Sequence, residues 1–187
     1  MTTENKKLST EENLTEIGKS AYSAIADMVA ALNCDYERLE ELRDQAKELE
    51  ELLAEAEGEE DEAAIAEATK AKTDWYDLYS DELDELEEAA QHCRNEDDAR
   101  EAIMNDPLSV EVRSGWTDIC DEIEAEEFRI RLTTGGPAVQ IRGDLDEHKE
   151  PRRAWLEVQD WGTPWTQYFA TDHETLLTYA RCFFYGE

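Results

Sequence analysis

Between positions 10 and 106, hydrophobic residues recur at three- and four-residue spacing, the pattern of amphipathic helices. The spacing predicts four helices, over about 10–32, 35–57, 61–94 and 97–104. Asp35 is a suitable N-cap for the second helix, and Gly58 is a suitable stop. The predicted acidic helical region therefore spans 10–106.

The second and third helices carry apolar residues on one side at alternating three- and four-residue steps, as a coiled coil does. On the second helix the series is Leu39, Leu42, Ala46, Leu49, Leu53 and Ala56. A glycine-containing turn joins the two helices, which predicts an antiparallel helical hairpin. Because the same series suits pairing with a second copy of the chain, a homodimer is the alternative.

After Pro107 the period changes from that of a helix to that of a strand. Alternating segments at 108–116, 128–132 and 138–143 predict strands, as do 154–160 and 165–169, with 144–153 as a charged loop. A last helix is predicted over 174–185, with Leu176, Leu177, Ala180, Phe183 and Phe184 buried. Residues 107–187 thus form a small antiparallel α+β module, and the fold class is α+β.

Charge is the most unusual feature of the composition, with 49 acidic residues, 18 basic residues and a net charge of −31. Residues 1–127 hold 40 of the acids, whereas 128–187 are nearly neutral. This charge disfavours direct binding to nucleic acid or to an anionic membrane, and it attracts basic proteins. No apolar run is long enough to span a membrane, and residues 1–9 are predicted to be a disordered tail.

Candidate chemistry is sparse, so no catalytic residue, cofactor or metal site is predicted and the protein is expected not to be an enzyme. The three histidines are scattered, and none has the spacing of a metal motif. Gly135-Gly136-Pro137 lacks the spacing of a phosphate-binding loop and favours a hairpin turn. The four cysteines form no CxxC pair, which favours small buried thiols and a cytoplasmic protein.

Aromatic residues concentrate in the near-neutral module at Trp155, Trp161 and Trp165. They are interpreted either as the core of a small sheet or as anchors of a partner-binding surface. Trp155 and Leu156 must point to opposite faces of their strand, which favours the second interpretation for one of the two faces.

The acidity of the predicted hairpin suggests mimicry of a nucleic acid. Residues 34–94 hold 23 acids and 6 bases, and carboxylates three or four positions apart on a helix lie about 5–6 Å from one another. The alternative is charge that serves only solubility. The candidate acidic residues are Glu48, Glu51, Glu55, Glu59, Glu60, Asp61, Glu62, Asp77, Asp81, Glu82, Asp84, Glu85 and Glu88.

The segments 128–143, 155–165 and 176–187 resemble a family of uncharacterised acidic phage and prophage proteins. The resemblance covers about 108–187 well and the helical part by composition alone, and it carries no defined activity. It implies an anti-defence role of the anti-CRISPR or anti-restriction type, in which an acidic mimic of nucleic acid blocks a CRISPR or restriction complex. The expected partner is a basic nucleic-acid-binding protein or complex of the host, and the alternative function is a structural or assembly protein that dimerises.

Overall fold

The computed structural model describes residues 9–120 and 123–186, which form five helices and one five-stranded antiparallel sheet. The helices are α1 (Thr10–Leu32), α2 (Tyr36–Gly58), α3 (Glu62–Ala90), α4 (Glu96–Asn105) and α5 (His173–Ala180). The strands are β1 (Ser109–Arg113), β2 (Glu127–Thr133), β3 (Ala138–Leu145), β4 (Pro151–Gln159) and β5 (Thr166–Tyr168), and they lie side by side in chain order. The α+β class and the helix-first order are confirmed.

The chain divides into two compact units that differ from the predicted division at 106/107. Unit 1 contains the described residues of 1–29 and 100–187, and unit 2 contains 30–99. Residues 10–29 of the first helix belong to unit 1, where the Asn13 side-chain N–H donates to the Asp160 carboxylate at 2.7 Å. Its Tyr22 hydroxyl also accepts a hydrogen bond of 2.9 Å from the backbone N–H of Asp172.

Helix starts follow local capping chemistry. Ser9 and Glu12 form a reciprocal capping box at the start of α1, so Ser9 is part of the helix start. The rest of the predicted disordered tail at 1–9 lies outside the described residues. Asp35 accepts a hydrogen bond from the N–H of Arg38, and Asp61 caps α3 in the same way, which agrees with the predicted start of the second helix.

Two predicted helices end earlier than their periodicity indicated. The third stops at Ala90 rather than 94 because Gln91 takes a positive φ of 52°. The last stops at Ala180 rather than 185, and the Tyr185 hydroxyl then donates to the Ala180 carbonyl at 2.8 Å. This fold-back buries Tyr185 and leaves Phe184 78% exposed, so the predicted burial of Phe184 is wrong.

The sheet of unit 1 has one apolar face and one polar face. Phe128, Ile130, Ile141, Leu156 and Val158 are fully buried on the apolar face, and α5 packs against β4. The predicted loop at 144–153 is shorter than expected. Leu145 still belongs to β3, and it pairs across a register shift with Pro151 at the start of β4. The opposite face, called the open face below, carries the charged residues of the strands.

Candidate functional site

The hairpin in unit 2 is held by a narrow apolar seam and by polar contacts that cross between its helices. Leu39, Leu42 and Ala56 of the α2 seam are buried, whereas the seam residues between them are half-buried. Arg38 donates to both carboxylate oxygens of Glu82, at 2.8 and 2.9 Å. These contacts fix α2 against α3 and determine which side of each helix faces outward.

Each helix of the hairpin carries a row of exposed carboxylates on the side away from the seam. The rows advance by three or four residues at a step, so their members lie on one helical face. The α2 stripe consists of Glu37, Glu41, Asp44, Glu48, Glu51 and Glu55, and all six are exposed. The α3 stripe consists of Glu67, Asp74, Asp77, Asp81, Asp84 and Glu88, also all exposed, with Lys70 in the one intervening position of the row.

The thirteen predicted acidic residues are all exposed except Glu82, which is half-buried. Two of them lie in ion pairs, Glu51 with Lys47 at 3.7 Å and Glu82 with Arg38 at 2.8 Å. The hydrogen bond from Arg38 holds the pKa of Glu82 below its usual value. Across the described residues, the other eleven have no cation within ion-pair distance.

Nine of these thirteen residues lie along the helices of unit 2, and four lie at the turn between them. Seven belong to the stripes: Glu48, Glu51, Glu55, Asp77, Asp81, Asp84 and Glu88. Glu82 and Glu85 lie beside the α3 stripe on the same helix. The remaining four, Glu59 to Glu62, surround the turn between α2 and α3, where Asp61 accepts hydrogen bonds from Ala63 and Ala64. Asp61 is therefore also the N-cap of α3.

Five stripe residues were not among the acidic residues predicted from the sequence. They are Glu37, Glu41 and Asp44 on α2 with Glu67 and Asp74 on α3. The signal was present as acidic residues at three- and four-residue steps, half a helical turn from the apolar seam. The same period that identified the seam would have found them.

Most of the few basic residues of unit 2 form ion pairs within the unit. Within residues 30–99, all of which the structure describes, five of the six bases lie in ion pairs: Arg38, Arg43, Lys47, Lys72 and Arg94. Three of the pairs cross the hairpin, including Lys72 to Glu50 at 3.0 Å. Against these six bases stand 26 acids, a net charge of −20 for the unit. The stripes therefore keep their charge.

The open face of the sheet in unit 1 has a different electrostatic character. Register places Glu111, Arg129, Arg142 and Trp155 in one cross-strand row, with Arg113, Glu127, Asp144 and Arg153 in the next. Ion pairs link neighbours, such as Arg142 to Glu127 at 2.8 Å. A hydrogen bond from Arg113 lowers the pKa of Glu127, and one from Arg129 lowers the pKa of Glu111.

The three predicted tryptophans do not share one environment. Trp155 is half-buried on the open face, where its indole N–H donates to Glu157 at 3.0 Å and its ring lies 5.7 Å from Arg142. Trp165 lines a groove on the same face and is 39% exposed. Trp161 is 78% exposed, and its ring lies against the backbone of Gly136 in the β2–β3 turn.

The opposite orientations predicted for Trp155 and Leu156 are confirmed, since Leu156 is buried on the apolar face.

The thiols differ from expectation, since Cys120 is exposed and Cys34, Cys93 and Cys182 are only partly buried. Within 9–120 and 123–186, no three histidine, cysteine or acidic side chains cluster as metal ligands would. None of the described helices combines the length and apolarity needed to cross a bilayer.

Comparison with protein-family models, curated proteins and solved structures gives no significant match.

Proposed function

We propose that the acidic hairpin of unit 2 binds the basic nucleic-acid-binding surface of another protein and occupies it in place of DNA or RNA. The observation that carries the proposal is the pair of carboxylate stripes, exposed along both helices, in which Glu41 and Glu51 lie in ion pairs and the other ten carboxylates have no cation within ion-pair distance among the described residues. The resemblance to phage proteins adds the hypothesis that the partner is a host defence complex. In that setting the protein acts in the cytoplasm of the infected cell as a non-enzymatic inhibitor.

The spacing of the stripes supports mimicry of a phosphate backbone. From Glu37 to Glu55 the α2 stripe spans 18 residue-to-residue steps, or about 27 Å at a rise of about 1.5 Å per residue. Six carboxylates over this length lie about 5 Å apart along the axis. One strand of duplex DNA carries a charge about every 3.4 Å, so the stripe supplies a linear charge density of the same order.

The cost of the stripes to the fold also supports a binding role. Like charges three or four residues apart on a helix destabilise it by about 0.2–0.5 kcal/mol per pair. A coiled coil that needed only solubility would normally mix both signs on its outer face. The repulsion in the stripes is relieved when a basic surface covers them, which adds to the binding free energy.

The test uses two variants with the same change in net charge. The stripe variant carries Asp77→Asn, Asp81→Asn and Asp84→Asn, whose carboxylates are exposed and unpaired among the described residues. The control variant carries Glu50→Gln, Glu82→Gln and Glu87→Gln, whose carboxylates are each paired with a base of the other helix. Both proteins and the wild type are immobilised and exposed to host lysate, and bound proteins are eluted with duplex DNA and then with a salt gradient.

Mimicry predicts that nucleic-acid-binding proteins are retained, that DNA displaces them and that they elute between about 50 and 500 mM salt. The stripe variant should lose most of this retention, because three exposed charge pairs are worth about 0.2–1 kcal/mol each. The control variant should retain more of the bound nucleic-acid-binding proteins than the stripe variant does. A partner that resists both salt and DNA, or that binds the stripe variant as well as wild type, would contradict mimicry.

The alternative function is a structural or assembly protein that dimerises through the hairpin. It is supported by the α3 seam, where Ile65, Ala68, Trp75, Tyr79, Leu83 and Leu86 are only half-buried within unit 2. Pairing with a second copy would complete their burial. Sedimentation equilibrium across a range of salt concentrations distinguishes an assembly protein from a nucleic-acid mimic. Dimerisation should strengthen as salt screens the stripes, whereas binding of the stripes to a basic partner should weaken.

A further inference from the structure

The apolar face of the sheet is left uncovered along its first strand. Val110 of β1 lies opposite Ile130 of β2. Val112 lies opposite Phe128, so both valines belong to the apolar face. Their partners on β2 are buried, whereas Val110 and Val112 are 37% and 50% exposed. Leu108, two residues before Val110, is exposed as well. The cover over the apolar face therefore ends at β2 and leaves an apolar strip along β1.

The outer edge of β1 also lacks a strand partner. β1 is the first strand of the sheet and pairs with β2 on one side. Among the described residues, no backbone hydrogen bond joins its other side to another segment. Proteins commonly block such an edge with a proline, a lysine or a bulge, because its free N–H and C=O groups pair readily with another strand. The strand Ser109–Arg113 has no proline and no lysine, and its register with β2 is uninterrupted.

The alternation of apolar residues continues beyond the end of β1. The sequence predicts a strand over 108–116, whereas β1 ends at Arg113. Its last pairing is with the first residue of β2, so residues 114–116 have no strand partner in the sheet. Trp116 has the same two-residue period as the exposed valines and is fully exposed. The segment thus keeps the pattern of a longer strand whose last residues are unpaired.

We propose that β1 pairs with β1 of a second copy of the chain, so that two five-stranded sheets join into one. Two identical antiparallel strands are related by a two-fold axis, and residues directly opposite one another lie on the same face. The proposed register places Val112 opposite the partner's Val112. Glu111 then faces the partner's Arg113 at two symmetric positions, and Trp116 faces the partner's Leu108.

Charge and length select this register over its two neighbours. A shift in which Glu111 faces the partner's Glu111 sets like charges against each other, which is unfavourable. A shift centred on Val110 leaves Arg113 opposite the partner's Pro107, which has neither an opposite charge nor an N–H to donate. The register centred on Val112 avoids both problems and extends the pairing through the whole predicted strand.

The charges of β1 are already held in place by the neighbouring strand. Arg113 forms an ion pair with Glu127, and Glu111 forms one with Arg129. Pairing with a second copy therefore adds one more charge of alternating sign to each of these two cross-strand rows. The interface uses no residue of the hairpin, so it is independent of the proposed mimicry and of dimerisation through the hairpin.

The first test is the oligomeric state of the full-length protein. Sedimentation equilibrium is measured at protein concentrations of about 1–500 µM, because the dimer fraction depends on concentration. At about 150 mM salt the Debye length is about 8 Å, which screens the long-range repulsion between two acidic chains. The wild type should form a dimer whose fraction rises with concentration. A wild type that stays monomeric over this range overturns the proposal.

Two charge reversals test the register. In a dimer of Glu111→Arg, two arginines face each other at each symmetric position, and in a dimer of Arg113→Glu two glutamates do. The dissociation constant of each should rise about tenfold or more, because like charges directly opposite are unfavourable. An equimolar mixture restores opposite charges at both positions, so the heterodimer should return to within about threefold of the wild-type dissociation constant. Folded variants that do not associate when mixed overturn the register.

A matched pair of lysine substitutions tests the apolar strip. Val112→Lys and Phe169→Lys each add a positive charge at an exposed apolar side chain of unit 1. Two lysines would face each other at the centre of the proposed interface, so Val112→Lys should raise the dissociation constant about tenfold or more. Phe169→Lys lies outside the interface and should leave it unchanged. A dimer that is indifferent to Val112→Lys, such as one formed through the hairpin, overturns the proposal.

Hydrogen exchange on the wild-type protein decides the question even if the variants do not fold. Residues 114–116 acquire backbone partners only in the proposed dimer. Protection of at least one of these amides should therefore rise between about 5 and 500 µM protein, as the dimer fraction rises. Unchanged protection over a range in which the protein dimerises places the interface elsewhere and overturns the proposal.

Discussion

Neutralising the middle of the α3 stripe should stabilise unit 2, even though it removes charge from the proposed binding surface. Asp77→Asn, Asp81→Asn and Asp84→Asn abolish six like-charge pairs at three- or four-residue spacing, such as Asp77 with Asp81 and Asp84 with Glu88. Each pair costs about 0.2–0.5 kcal/mol, so the free energy of opening α3 should rise by about 1–3 kcal/mol. Asn and Asp have similar helix propensities, so little else changes.

The control Glu50→Gln, Glu82→Gln and Glu87→Gln changes the net charge equally but removes three ion pairs that join α2 to α3. Each such surface pair contributes about 0.2–1 kcal/mol, and two like-charge pairs are relieved at the same time. The stability of unit 2 should therefore remain unchanged or fall by up to about 2 kcal/mol.

Amide hydrogen exchange of α3, in dilute buffer with urea as the denaturant, measures the opening of unit 2 without contributions from unit 1. Urea is uncharged and leaves the repulsion unscreened, unlike guanidinium chloride. Equal stabilisation of both variants would show that net charge matters rather than its placement. An unchanged or less stable stripe variant would refute the claim that the stripes repel.

Three further predictions concern stability. Raising salt from about 10 to 500 mM should increase hydrogen-exchange protection in α2 and α3, because the Debye length falls from about 30 Å to a few ångströms and screens the stripes; unchanged protection would contradict this. Gly18→Ala should destabilise the protein by about 1–3 kcal/mol, since its Cβ would lie 2.5 Å from the Tyr168 ring. Gly58→Ala, which has open space at the end of α2, should instead stabilise by up to about 1 kcal/mol, and thermal unfolding compares the two. The hydrogen bond from Arg113 lowers the pKa of Glu127 in the folded protein. The Glu127 carboxylate therefore contributes to folding stability above its unfolded pKa of about 4.3, and this contribution is lost as pH falls through the lower folded pKa. Carboxyl NMR titration of wild type and Arg113→Gln measures the shift.

Much of the fold follows from local periodicity in the sequence. The positions of α1 and α2 agree with prediction to within one residue, because apolar spacing and the Asp35 cap are local signals. The strands of the sheet were found from alternation, since a strand with one buried face must alternate. The end of α3 was missed because the apolar period continues to Cys93, past the point where Gln91 breaks the helix.

The sequence by itself determined the acidic stripes and the apolar seam, because each repeats at the helical period and needs no distant partner. Only the tertiary structure decided that residues 10–29 of α1 belong to the same unit as the sheet, since an apolar stripe does not by itself indicate which elements cover it. The groove also required the tertiary structure. Gln140, which lines this groove on the open face, is one polar residue in an alternating strand, and its burial depends on neighbours that pair from other strands. Contacts between residues distant in the chain leave no periodic signal in the sequence. For this reason the position of charges on the helices can be predicted from the sequence, whereas the arrangement of residues on the open face cannot.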